Sequence, residues 1–179
     1  MMTYEQLSKL AEESGFTAWA SLDVSTLDLK SEVRDMCVVN TCGRYGNCWS
    51  CPPGCGTLEE CSAELEGFTG GILVQTVGDL EDSFDFEAMV ETEQRHKEYF
   101  HKMHALLREK AGKVLALGSG SCTICPKCTY PDAPCRLPEQ KMSSMEALGM
   151  LVVEVCKANG LPYFYGENTI AYTSCFLLK

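Results

Sequence analysis

The stretch of sequence that decides the fold is residues 122–135, which read Cys122-Thr-Ile-Cys125-Pro-Lys-Cys128-Thr-Tyr-Pro-Asp-Ala-Pro-Cys135. Two residues between successive cysteines let one tight loop place thiolates on neighbouring corners of a cubic iron–sulfur cluster, while the fourth thiolate arrives from the other side. The spacing therefore predicts that these four cysteines hold one [4Fe–4S] cluster.

Two other interpretations of this run compete with the cluster. A disulfide framework is disfavoured because the opening segment, MMTYEQLSKLAEESGF, has neither the basic nor the apolar region of a secretory signal. In a cytosolic chain such spacings are more often metal sites. Structural zinc more often uses two separated Cys-x2-Cys pairs, about 12–20 residues apart. Zinc stays the alternative to iron and sulfide.

A second cysteine-rich loop, residues 37–61, precedes the first in the chain. It contains six thiols, at Cys37, Cys42, Cys48, Cys51, Cys55 and Cys61. Its glycines allow backbone N–H groups to approach cluster sulfurs, and Pro52 directly after a cysteine turns the chain away. Six thiols exceed the four that one cluster needs, so a metal site is predicted but its ligand set stays open.

Three cysteines are interpreted as core residues, because a free cysteine is commonly a small buried side chain. Cys61 falls inside a predicted helix, Cys156 lies on a later predicted helix, and Cys175 lies in the last predicted strand. Of these, Cys61 stays a minor candidate for a ligand of the first loop.

Longer patterns join the two loops. They are V-R-x2-C-x4-C-x2-Y-G-x4-C-P-P at 33–53, C-x2-C-x2-C-x6-C-R-x-P at 122–138, and Ser144-Met-Glu146-Ala-Leu-Gly149. In these patterns the chain resembles an uncharacterised domain-of-unknown-function family of cysteine-rich, predicted metal-binding proteins of anaerobic bacteria and archaea. The resemblance implies ligands at Cys37, Cys42 and Cys51. Cys48 and Cys55 would then be additions, either of which would supply the fourth thiolate.

Helical spacing and capping boxes predict helices at 3–15, from 57 to about 66, at 84–111, and from 143 to about 158. Apolar runs predict strands at 17–24, 71–77, 113–117, 161–165 and 169–178, the last two as a hairpin. The order predicts a single α/β domain over 1–179. We expect a central mixed sheet flanked by helices, with cluster-binding loops at 37–61 and 119–138.

The long predicted helix carries an apolar stripe and all three histidines of the chain. The stripe consists of Phe86, Met89, Val90, Phe100, Met103 and Leu107. His96 falls on this stripe, which predicts a core histidine with hydrogen-bond partners. His101 and His104 are predicted to be solvated.

The chain is acidic, with 25 Asp and Glu against 15 Lys and Arg and a formal net charge of −10. Nucleic acid and anionic membranes bind basic patches, so neither is expected as a partner. No apolar run approaches the ~20 residues of a membrane span. We predict a cytoplasmic protein that docks a redox partner protein, and the sequence does not indicate an oligomeric state.

The sequence predicts an iron–sulfur protein with two [4Fe–4S] clusters that acts in electron transfer or as a redox accessory protein. One alternative is an enzyme that uses an open iron position on a three-cysteine cluster. The other is a zinc-stabilised interaction module. The sequence does not assign a catalytic residue.

Overall fold

The structure is a computed structural model that describes residues 2–179. Within that range a five-stranded sheet has the order β1-β2-β5-β3-β4. Every neighbouring pair is antiparallel except β3 and β4, which are parallel. The strands are β1 (Ala18–Leu22), β2 (Gly70–Asp79), β3 (Val114–Gly118), β4 (Ser143–Ser144) and β5 (Thr169–Leu178). The predicted α/β class with a central mixed sheet is confirmed.

Helices cover both faces of the sheet. They are α1 (Tyr4–Ser14), α2 (Ser31–Val38), α3 (Leu58–Leu65), α4 (Phe86–Lys110) and α5 (Val152–Ala158), with short 3-10 turns at Val24–Thr26 and Glu146–Leu148. Within residues 2–179, none of these helices combines the length and the apolar character that a membrane crossing requires.

Each face of the sheet has its own apolar core, because successive side chains of a strand point to opposite faces. On one face Ile72 packs with Phe100 and Phe176 beneath α1 and α4. On the other face Leu73 packs with Cys175 and with residues of α3 and α5. Cys61, Cys156 and Cys175 are all buried in this second core. Their burial agrees with the interpretation of all three as core residues.

Two predicted helix starts are formed as the sequence indicates. At α1 the Thr3 side chain accepts from the Gln6 amide, and the Gln6 side chain accepts from the Thr3 amide. At α3 Thr57 and Glu60 form the same reciprocal pair. Each box satisfies two amides that a helix start would otherwise leave unpaired, so the local sequence fixes these boundaries.

The single helix predicted from residue 143 to about 158 is wrong. The chain instead forms β4, the 3-10 turn Glu146–Leu148, and then α5. Gly149 separates the last two with a φ of 100°. A Cβ at Gly149 would lie 2.8 Å from the Leu58 side chain and 3.0 Å from the Lys30 carbonyl oxygen. A helix cannot continue through this left-handed, crowded position.

Two further differences concern segments near the loops and the C-terminus. Helix α2 occupies residues that had no helix prediction, and Cys37 lies in its last turn. The predicted strand at 161–165 and its hairpin are not formed. Leu161 is buried in the core, and the Tyr165 hydroxyl donates to Gln75 Oε1 at 2.6 Å. These anchors hold the segment across the face of the sheet and not along an edge.

The apolar stripe on α4 is buried only in the later turns of the helix. Phe100, Met103 and Leu107 are at most 1% exposed, but Phe86 and Val90 are 67% and 49% exposed. The residues of β5 from Thr169 to Tyr172 pair with a part of β2 that has no strand on its other side, so the sheet is two strands wide there. Fewer side chains are then available to cover the first turns of α4.

Of the three histidines of α4, one is buried as predicted and the other two are more buried than the sequence indicates. His96 is fully buried, with Nδ1 2.9 Å from Thr76 Oγ1 and Nε2 2.7 Å from Ser174 Oγ, as predicted for a core histidine. Burial lowers the pKa of His96 to about 3. The prediction that His104 is solvated is wrong, because it is buried and its ring lies against Phe100. His101 is half-buried.

We predict that Phe100→Ala lowers the free energy of unfolding by about 3–5 kcal/mol, because it opens a cavity in the core beneath α4. The matched control is Phe86→Ala on the same helix, where an exposed ring is removed and the change should stay within about 0.5 kcal/mol. Urea unfolding measures both. Similar losses in the two variants would contradict the burial pattern of the helix.

Candidate metal centre

The two cysteine loops pack directly on each other. The backbone amide of Cys122 donates to Ser50 Oγ at 3.1 Å, although the two residues are 72 positions apart. The Trp49 indole N–H donates to the Ala133 carbonyl at 3.0 Å, and the Trp49 and Tyr130 ring centroids lie 4.9 Å apart in an edge-to-face contact. The loops at 37–61 and 119–138 therefore form one continuous cysteine-rich region.

Three thiols of the first loop line one cavity of about 390 Å³, and they are Cys37, Cys42 and Cys51. Local hydrogen bonds from backbone amides hold the loop around this cavity. The Tyr45 amide donates to Asn40 Oδ1 at 2.9 Å, and the Gly46 amide donates to the Pro52 carbonyl at 2.8 Å. These three cysteines are the ones that the family resemblance implies as ligands.

Charged side chains of both signs share the cavity wall, namely Arg44, Glu93, Lys97 and Glu146. Lys97 and Glu93 form an ion pair at 2.5 Å along α4. Burial raises the pKa of the Cys37 thiol, with smaller upward contributions from Cys42 and Glu146, whereas the Arg34 guanidinium opposes the rise. The wall of the cavity therefore combines three thiols with positively and negatively charged side chains.

Cys48 lies behind Cys51 and is only 4% exposed. Its sulfur is 3.4 Å from Ser50 Oγ, and that oxygen is 3.8 Å from the Cys51 sulfur. A hydrogen bond between the two thiols lowers the pKa of Cys48 to about 5 and raises that of Cys51. Ser50 thus contacts two thiols and the amide of Cys122.

Cys55 and Cys61 form a separate pair beside Arg34. The guanidinium donates to the Gly56 carbonyl at 2.6 Å and to the Cys61 sulfur at 3.7 Å. The neighbouring Cys55 thiol and the Arg34 charge lower the pKa of Cys61 to about 7, and the contact with Cys61 raises that of Cys55. The Cys55 sulfur also lies 3.4 Å from the Ala147 carbonyl.

The second loop folds back on itself. Thr129 Oγ1 donates to the Pro134 carbonyl at 2.8 Å, and Arg136 Nη1 donates to the Lys127 carbonyl at 2.8 Å. These bonds return the end of the loop, which carries the last cysteine, to its middle. All four thiols are half-buried, and they are Cys122, Cys125, Cys128 and Cys135. Their joint ligation of a cluster stays a prediction.

The thiols of the first loop are of the donor type that binds iron–sulfur clusters, but as the chain stands they are not gathered closely enough to hold a single metal ion. A cavity of about 390 Å³ has many times the ~30 Å³ share of liquid volume of one water molecule. Thiolates are the protein ligands that iron–sulfur clusters use. Among residues 2–179, no three or more His, Cys, Asp or Glu side chains stand close enough together to hold a metal ion.

The structure does not bring all the sequence-predicted ligands to this cavity. Among residues 2–179 the cysteines on its wall are the three described above, and Cys48 and Cys55 are not among them. The role of either as a fourth ligand stays a prediction. All twelve cysteines are free thiols, so no disulfide framework is formed.

Sequence reasoning missed several residues that shape the region. Arg34 stands in the quoted V-R-x2-C pattern, but nothing in the spacing indicates its contacts with Cys61 and Gly56. For Ser50, the only feature of the sequence that could have indicated its role is its position between Cys48 and Cys51. Glu146 was interpreted as half of a capping box, whereas the structure places it on the cavity wall.

Two packed thiol-rich loops on one edge of an α/β sheet define a cysteine-rich protein with a candidate metal centre. The chain belongs to the family described as Predicted metal-binding protein (DUF2284), whose model matches residues 20–178. The family resemblance is thereby confirmed, and the description of the family gives metal binding as a predicted property of its members. Searches of the curated proteins and of the solved structures found no significant match.

We predict that Ser50→Ala loosens the contact between the two loops. The substitution leaves the Cys122 amide without its acceptor, which costs about 1–3 kcal/mol for a polar group shielded from water. Amide hydrogen exchange at Cys122 and protease cleavage within 119–138 should both become faster. Ser62→Ala, on the exposed face of α3, is the control and should leave both rates unchanged; equal rates in the two variants would argue against the contact.

Proposed function

We propose that this protein binds two [4Fe–4S] clusters, one in each cysteine loop, and transfers electrons to or from a redox partner protein. The observation that carries the proposal is the direct packing of the loops, with Cys122 N 3.1 Å from Ser50 Oγ. Clusters held in adjoining loops would form a short relay. When bound, such clusters supply one-electron chemistry whose potential depends on hydrogen bonds to sulfur and on burial.

The cavity thiols are the proposed ligands of the first cluster, and the cysteines of residues 122–135 are the proposed ligands of the second. Around the first site, the Arg34 charge favours the thiolate form of Cys37, Cys55 and Cys61, and metal binding requires that form. The Ser50 hydroxyl is placed to donate to the sulfur of Cys48 or Cys51. Hydrogen bonds of this kind stabilise the more negative, reduced state.

The charge of the chain supports a basic docking surface on the partner. The formal net charge is −10 before any thiolate is counted, and complementary charge speeds the association of two proteins. Twelve thiols without disulfides suit a reducing compartment, so we place the protein in the cytoplasm.

A second candidate function is catalysis at the first site. The cavity of about 390 Å³ lies directly beside three thiols and carries Arg44 and Lys97 on its wall. A small anionic molecule bound by these cations would reach a metal that keeps an exchangeable position. Anaerobic purification with visible absorption and acid-labile sulfide tests both functions against zinc. A colourless protein that contains zinc and no sulfide would overturn the proposal.

We predict that Cys125→Ser removes about half of the iron and half of the labile sulfide if the two loops load independently, and more than half if filling one loop favours filling the other, because it breaks one of two sites. Cys156→Ser is the matched control, since Cys156 lies in the core and its sulfur is 3.8 Å from the Gln75 amide nitrogen. This control should keep the full metal content. Complete retention of iron and sulfide in Cys125→Ser would refute the assignment of the second loop.

We also predict that metal removal exposes the loops first. Segments this rich in Gly, Pro and Cys bury too little surface to order themselves, so ligation must hold them. Limited proteolysis of the metal-free protein should cut within 37–56 and 119–138 before any strand or helix is cut. Equal protection of these segments with and without metal would show that the loops need no ligation.

A further inference from the structure

Glu146 is the one exposed residue in an otherwise buried segment. From Met142 to Met150 every other residue is buried, including Ser143 and Ser144. An isolated exposed position in such a segment is usually a solvated surface side chain. Here the side chain does not simply face bulk water, because Glu146 lines the cavity of the first loop.

The backbone that carries Glu146 is held from several sides. Strand β4 pairs with β3 immediately before it, with Ser144 opposite Gly118. The Ala147 amide donates to Ser144 Oγ at 3.1 Å. Beyond the turn, the Gly149 carbonyl accepts from the Lys30 amide at 2.8 Å. Glu146 therefore projects from a rigid element, as a ligand or binding residue should.

The Glu146 carboxylate is not used for structure. The amide of Ala147 in the 3-10 turn donates to the Ser144 side chain and not to Glu146. Within residues 2–179 the carboxylate makes no hydrogen bond or ion pair, whereas Glu93 on the same cavity wall is paired with Lys97 at 2.5 Å.

We propose that the Glu146 carboxylate is the fourth protein ligand of the first metal centre, completing the set of Cys37, Cys42 and Cys51. The inference rests on the proposed function of the first loop and deepens it. Carboxylate oxygen is an established ligand of borderline metals, and it is harder than thiolate. A centre with three thiolates and one carboxylate has one metal position that external ligands displace easily.

The other candidates for the fourth ligand, the thiols of Cys48 and Cys55, each make contacts with other protein groups. Cys48 is buried against Ser50, with its sulfur 3.8 Å from the Arg44 carbonyl. Cys55 lies beside Cys61 and the Ala147 carbonyl. Glu146 lines the cavity together with the three cysteines, whereas neither Cys48 nor Cys55 is on its wall.

Anaerobic cyanide titration of the intact, cluster-loaded protein tests this ligand, followed by visible and electron paramagnetic resonance spectra. Glu146→Gln should lower the cyanide concentration at half-saturation by about 10-fold or more, because an amide is a weaker ligand than a carboxylate. Glu146→Cys should retain the cluster and lose the cyanide response. Glu93→Gln, the matched control on the same wall, removes the same charge without removing a ligand and should shift the titration much less than Glu146→Gln does.

Two outcomes would overturn the ligand assignment: coincident titrations of wild type and Glu146→Gln, or an equal shift in Glu93→Gln. Failure of the proposed function looks different, because the wild-type protein would then contain no labile sulfide. In that case Co²⁺ replaces the native metal as a probe. A Co²⁺ spectrum that differs between wild type and Glu146→Gln supports the ligand, and an identical spectrum refutes it.

Discussion

The pairing of β2 with β5 is the constraint on which the rest of the structure depends. The two strands run antiparallel over ten residues each, from Gly70 opposite Leu178 to Asp79 opposite Thr169. The approach is close, since a Cβ on Gly71 would lie 2.1 Å from the Phe176 carbonyl oxygen. Because this ladder is covered on both faces, it fixes the position of two cores at once. A one-residue slip would exchange the residues of these cores.

The same ladder determines where the cysteine loops can lie. Strand β3 pairs with only the last part of β5, and it ends at Gly118, where the second loop begins. The parallel strand β4 then returns beside β3 and brings the 3-10 turn with Glu146 to the same edge. The first loop connects α2 to α3. The sheet thus brings together three segments that are far apart in the chain, and no short stretch of sequence indicates that they lie side by side.

Features written in short-range sequence could be predicted. The capping boxes at Thr3 and Thr57 indicated two helix starts, and the apolar run at 71–77 indicated strand β2. The cysteines were identified by their spacing alone. Features that depend on long-range contact could not be predicted in this way. The break at Gly149 depends on the distant Lys30 and Leu58, and the burial of His104 depends on the rings of Phe100 and Phe176.

The residues of the candidate site fall into the same two groups, those that the sequence indicated and those that only long-range contacts bring to the site. The family resemblance implied ligands at Cys37, Cys42 and Cys51, and these three thiols do share a cavity. Of their charged neighbours, Arg44 belongs to the same loop, but Glu93 and Lys97 come from α4 and Glu146 from the turn after β4, so no local motif could connect these three to the cysteines. Arg34 and Ser50 were missed because each acts through a contact that closes only in the folded chain.

The contact between the loops also has a consequence for the order of assembly. Trp49 and Tyr130 meet edge to face, and Ser50 accepts from Cys122, so each loop forms part of the wall of the other. Whatever orders one loop therefore removes part of the entropic cost of ordering its neighbour. If each loop binds a metal centre as proposed, loading of the two loops should be positively cooperative: partly filled molecules would be scarce, and the population would consist mainly of empty and fully loaded chains.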